Sequence, residues 1–226
     1  MKKLITSAAA LALALGVASA SASAAELKAC WVYVGAIADF GWTYQHNQGV
    51  EAVKKEFGDK VETVIVENVA EADSERAIER LARDGCNIIF TTSFGFMEPT
   101  LKVAKKFPDV KFEHATGYKT ADNVTTYNAK FHEGRYVIGQ IAAKVSKTGV
   151  AGYIASFPIP EVVSGINAFM LGAQSVNPDI ETTVVFTASW CDPGQQAEAA
   201  NSLIAQGVDV LTQHQDCTKT IIETAE

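Results

Sequence analysis

The sequence predicts an α/β protein made of two Rossmann-like lobes, each on a parallel sheet. Three observations predict it. Short β-branched and apolar runs alternate with amphipathic helical stretches from residue 31 onward, the pattern of parallel strands joined by helical crossovers. The alternation breaks once, near 123–128, and then restarts. The second run stops at Glu226 inside a helical pattern with no terminal signal, so the second lobe is expected to be truncated at its C-terminus.

The chain opens with Lys2 and Lys3, an apolar run over 4–17, and small residues over 19–25 that include Ala22-Ser23-Ala24. A charged start, an apolar centre and an A-x-A site make up a cleaved secretory signal peptide. A membrane span takes about 20 apolar residues, more than this run holds. Leu27-Lys28-Ala29-Cys30 is a faint lipoprotein box, spoiled by its Lys and by the strand pattern that follows Cys30. Residues 1–25 are thus assigned to a leader, 26–125 to an N-terminal lobe and 126–226 to an incomplete C-terminal lobe. No later segment is apolar for long enough to span a bilayer, so a soluble, periplasmic product is expected.

In the first lobe, strands are expected over 31–37, 61–67, 87–92, 110–114 and 124–127. Helices are expected to end near 57, to run over 73–84 with Ile78, Leu81 and Ala82 on one face, and to run over 98–106, stopped before Pro108. Ser74, Glu75 and Arg76 read as a solvated helix start, Trp31 and Phe96 as core, and His46 as an exposed helix residue. The second lobe reads as helices over 131–146, 161–175 and 194–205 and from 218, with strands over 150–156, 182–188 and 208–213. Asp192, just ahead of Pro193 and Gly194, reads as a helix N-cap.

Removing Lys2 and Lys3 leaves 17 basic against 26 acidic side chains, a formal charge of −9. That balance argues against nucleic acid and anionic lipid as partners. None of Cys30, Cys86, Cys191 and Cys217 forms a C-x-x-C, so a zinc or redox motif is not indicated. Cys30 and Cys86 flank neighbouring strands, as do Cys191 and Cys217; either pair could bridge in an oxidising compartment, and free buried thiols are the alternative. Asn123-Val124-Thr125 matches a glycosylation sequon by accident of composition.

Ligands of open parallel sheets bind beyond the carboxyl ends of the strands. The first strand is followed by Asp39-Phe40-Gly41-Trp42-Thr43-Tyr44-Gln45-His46 and the third by Ser93-Phe94-Gly95-Phe96-Met97-Glu98. Ser189-Trp190-Cys191-Asp192 and His214-Gln215-Asp216 follow two strands of the second lobe. Both lobes therefore offer aromatics and acids at the binding edge. The candidate ligand-binding residues are Asp39, Trp42, Tyr44, Phe94, Glu98, Trp190 and Asp216. Trp42 and Trp190 can stack on opposite faces of a flat ring, each worth about 1–3 kcal/mol, while a carboxylate in the ring plane accepts the N–H donors of a purine. No G-x-S-x-G elbow, P-loop, G-x-G-x-x-G or H-E-x-x-H is present, so no catalytic residues, metal or cofactor are expected.

Trp31 to Gly49, Val103-Ala104-Lys105 with Pro108-Asp109, Glu133-Gly134, Asn177-Pro178-Asp179 and Asp209-Val210 resemble the basic membrane protein (PnrA-like) family of ABC-transporter substrate-binding proteins, in its purine-type subgroup. The resemblance implies the type I periplasmic-binding fold and a purine base or nucleoside held between two aromatics. By position those are Trp42 and Trp190; Glu98 falls where the family reads the base with Asp; Asp39 matches an acid of the first loop. Asp216 stands where a Gly-rich turn is usual, near the sugar position. A monomeric receptor closing by a hinge near 123–128 and handing its ligand to an inner-membrane permease is the expectation. A receptor for a sugar or other small polar solute, a nucleoside hydrolase and a chemosensory protein are the alternatives.

Overall fold

A computed structural model describes residues 25–38 and 41–226. The expected leader, Ala25 excepted, the candidate residue Asp39 and its neighbour Phe40 lie outside the described residues.

The first sheet has five parallel strands in the order β2-β1-β3-β4-β5: β1 Leu27–Val32, β2 Val61–Val66, β3 Ile88–Thr91, β4 Lys111–Ala115 and β5 Val124–Tyr127. Three helices connect them: α1 Trp42–Phe57, α2 Ser74–Arg83 and α3 Met97–Ala104. Alternation along β1 splits the core in two. Cys30 and Val32 pack toward Ile78, Leu81 and Ala82 of α2 and Val103 of α3. Ala29, Trp31 and Tyr33 pack on the opposite face with Val50 of α1. The i, i+3, i+4 spacing on α2 is what lets one helical stripe reach the sheet. Trp31 is buried and stacks on Phe90 at 4.8 Å, and Phe96 is fully buried.

The second sheet is β7-β6-β8, again parallel: β6 Val150–Ala155, β7 Glu181–Phe186 and β8 Val210–His214. Helices α4 Phe131–Val145 and α5 Pro160–Gln174 cover one face, where Ala142, Val162 and Phe169 meet Ala151, Tyr153 and Ala155. Helices α6 Pro193–Ala205 and α7 Thr218–Ala225 cover the other, where Ala199, Ala200, Leu203 and Ile221 meet Ile154. A strand buried on both faces needs an unbroken apolar run, as β6 has.

Five details differ from the expectation or refine it. β1 starts at Leu27 and ends at Val32 instead of running over 31–37, because Val34 and Gly35 form a bend at its carboxyl end. β5 pairs with β4, so Thr126 and Tyr127 belong to the first sheet, and the chain passes to the second unit over 128–130. Ser74 is fully buried, its Oγ donating to Glu71 O at 2.6 Å, while Glu75 is held by Lys102 at 2.7 Å. Both cysteine pairs are disulfides, Cys30–Cys86 and Cys191–Cys217, and no cysteine among the described residues is free. Asn123 is occupied structurally, its Nδ2 donating to the carbonyls of Ala104, Phe107 and Val110.

Candidate functional site

Parallel winding aims all strand carboxyl ends of each unit at one edge, and the two edges face each other. Three cavities lie there, of about 500, 30 and 770 Å³. The two larger ones fall in the size range of small-molecule pockets. Trp42 and Asp216 line all three, one residue from each unit.

Trp42 is the first residue of α1. Gly41 precedes it with φ 104°, in the left-handed region, and a Cβ there would come within 2.9 Å of Asp216 O. Only glycine lets the two backbones approach so closely. The indole Nε1 of Trp42 donates to Thr92 O at 2.6 Å, which fixes the ring against the end of β3. His46, one helical turn on, meets that ring edge-on at 4.6 Å, and Phe131 lies 6.3 Å from it.

Trp190 sits on the loop between β7 and α6. Asp192 caps α6, its Oδ1 accepting from Gln195 N at 3.0 Å, and the Cys191–Cys217 disulfide ties this loop to the one after β8. Asp216 N donates to Trp190 O at 2.8 Å, so the ring and the acid are carried on one cross-linked pair of loops. Trp190 Nε1 reaches the first unit and donates to Glu71 Oε1 at 3.3 Å.

Two partly buried acids, Asp216 and Glu161, face the cleft. Burial, followed by the nearby charge of Glu161, pushes the Asp216 carboxyl up to about 7. Glu161 is raised by burial and partly relieved by a hydrogen bond with Thr116 of the first unit. Burial lowers His46 to about 4 and, together with Arg135, lowers His214 to about 4, so both imidazoles are neutral at pH 7. Arg135 Nη1 donates to Gln213 O at 2.7 Å, with the guanidinium 5.7 Å over the Tyr153 ring. Neutral rings and acids of raised pKa suit a flat polar ligand that donates hydrogen bonds. Among the described residues no group of His, Cys, Asp and Glu is arranged to hold a metal ion.

Of the candidate residues, Trp42, Phe94, Trp190 and Asp216 come together around the smallest cavity. Tyr44 and Glu98 are not brought to any of the three. On α1 the stripe facing the cleft is Trp42, Gln45 and His46, and Tyr44 falls off it. Glu98 is exposed and paired with Lys119, because α3 buries Met97, Thr100 and Val103 and turns position 98 to solvent. Glu71, Thr116 and Glu161 face the cleft without having been singled out, and His46 is half-buried there instead of exposed. Glu71, Thr116 and Glu161 follow β2, β4 and β6, the same post-strand position that marked Trp42 and Trp190.

Comparison with known proteins agrees with this architecture. A purine-binding protein of Brucella abortus (strain 2308) is 64% identical over 197 residues, covering 87% of this chain and 56% of that protein. A putative ABC transporter glucose-binding protein of Haloferax volcanii is 45% identical over 190 residues, covering 84% and 48%. A crystal structure of an ABC transporter solute-binding protein from Aeropyrum pernix K1 superimposes with TM-score 0.79 at 25% identity, over 88% of this chain and 58% of that one. The chain thus spans about half the length of the curated relatives it matches. The model of the PnrA-like ABC transporter substrate-binding proteins matches residues 27–226, and the chain belongs to that family.

Proposed function

We propose that the protein is a periplasmic receptor, not an enzyme, that closes two α/β lobes around a purine base or nucleoside and presents it to an ABC permease. The observation that carries the reading is the pair of indoles, Trp42 and Trp190, which come from opposite units and line one cavity of about 770 Å³ together with Asp216. Two aromatic faces suit a planar heterocycle. A buried acid then favours a ring edge that offers N–H donors, since an analogue without them leaves it unpaired. The lobes would hinge between β5 and α4, over 128–130, where the chain crosses from one sheet to the other. The name of the Brucella relative points the same way. The charged, apolar and small-residue pattern read over residues 1–25 is that of a secretory leader and fits export.

A second reading, a sugar receptor, is favoured by the name of the Haloferax relative and by the acids Asp216 and Glu161, which can also accept sugar hydroxyls. Tryptophan fluorescence of the full-length mature protein, titrated with adenine, adenosine, guanosine, ribose and glucose, separates the two. Saturable quenching by a purine supports the proposal. Response to glucose or ribose alone replaces it with the sugar reading.

A further inference from the structure

Glu71 lies in the 3-10 turn Glu71–Asp73 that follows β2, away from the ring-bearing loops in sequence. Its carboxylate is seated deliberately close to the backbone: a Cβ on Gly95 would overlap it. Ser93 Oγ donates to Glu71 Oε1 at 3.0 Å from within the first unit. The same oxygen accepts the Trp190 Nε1–H at 3.3 Å from the second unit. One carboxylate thus joins the loop after β3, which carries Phe94, to the ring that closes on the cleft from the other side.

We infer that Glu71 is a positioning residue that latches the two units together, turning the Trp190 ring to its stacking orientation through the indole N–H and holding the closed state against reopening. A charge-assisted bond to an indole fixes the ring about the axis that free rotation would otherwise scramble. The latch exists only when the second unit is brought against the first, so it adds to the affinity of any ligand that needs closure. Gly95 is part of the device, because a side chain there displaces the acceptor. The identity of the ligand rests on the purine reading; the latch itself does not.

The test is a double-mutant cycle on the full-length mature protein. Wild type is first titrated with adenine, adenosine, guanosine and glucose by calorimetry, and the cycle is run with the tightest binder. Binding of none of the purines defeats the purine reading alone, and the cycle is then run with glucose; binding of none of the four removes both proposals. Glu71→Ala is expected to weaken binding about tenfold, mainly through faster dissociation, and Gly95→Ala to do the same with Glu71 still present. Glu71→Gln keeps an acceptor oxygen and is expected to stay within about threefold of wild type. In a Trp190→Phe background, which keeps a ring but has no N–H, Glu71→Ala should change affinity less than twofold. Unchanged affinity in Glu71→Ala, or a loss equally large in the Trp190→Phe background, overturns the latch. Thermal melts of each variant confirm that losses are not due to unfolding.

Discussion

Replacing Trp42 in two steps separates its role in the fold from its role in the cleft. Trp42 makes one directed bond, Nε1 to Thr92 O at 2.6 Å, and Thr92 is fully buried. Trp42→Phe keeps a ring but strands that carbonyl, which costs about 1–3 kcal/mol of stability. For a chain of this size each kcal/mol lowers Tm by about 2–4 °C, so a drop of about 2–12 °C is expected. Stacking survives, and the affinity for adenine should stay within about fivefold. Trp42→Ala suffers the same loss of the bond and also removes the stacking face, worth about 1–3 kcal/mol, or about 5- to 150-fold in Kd. Calorimetric titration with adenine, paired with thermal melts, reads both quantities on each variant. Trp42→Ala binding adenine within twofold of wild type, or Trp42→Phe losing as much affinity as Trp42→Ala, contradicts a stacking role for this ring.

Other outcomes follow from the same geometry. Asp216 has a folded-state pKa of about 7, above its unfolded value, so its contribution to stability is full at low pH and is lost as pH rises toward and through 7. Asp216→Asn should flatten the fall in Tm between about pH 4 and 7, the window between the unfolded and folded pKa values, and an unchanged slope contradicts the assignment. The Cys191–Cys217 bridge closes a loop of sequence separation 26. Loop entropy at that length is worth about 3.5 kcal/mol. Replacing both cysteines with Ser should lower Tm and weaken adenine binding together, since Trp190 and Asp216 sit beside the bridge; a drop in Tm with affinity intact argues that the loops hold their shape without it. Glu98→Ala removes only an exposed, solvent-screened pair with Lys119 and should leave adenine affinity unchanged in the same titration.

The fold was legible because its signals are local. Strand and helix periods, the N-cap at Asp192 and the alternation itself are properties of short windows, and the observed elements, β1 excepted, follow them to within a few residues. Trp42 and Trp190 were legible for a topological reason: in a parallel sheet the residues after each strand share an edge. The same rule, applied after β2, β4 and β6, points to Glu71, Thr116 and Glu161. Those loops hold no tryptophan, and a lone Glu in a polar loop gives no local sign that it faces a cleft. Glu98 shows the converse. Its place in the chain resembled that of a base-reading acid, but the rotation of α3 about its buried face turns it outward, and helix rotation is set by packing between distant segments. Disulfide pairing was open for the same reason, as it depends on which strands become neighbours. β1 and β3 pair, which brings Cys30 and Cys86 to a Cα separation of 6.1 Å.

At the centre of the proposed function, two indoles from opposite units sandwich a planar ring. A crystal structure of the full-length mature protein grown with adenine tests it most directly. The account predicts the ring between Trp42 and Trp190, with an N–H edge toward Asp216 and the Trp190 indole bonded to Glu71. Adenine bound elsewhere, or a cleft that takes only a sugar with the two indoles apart, contradicts it.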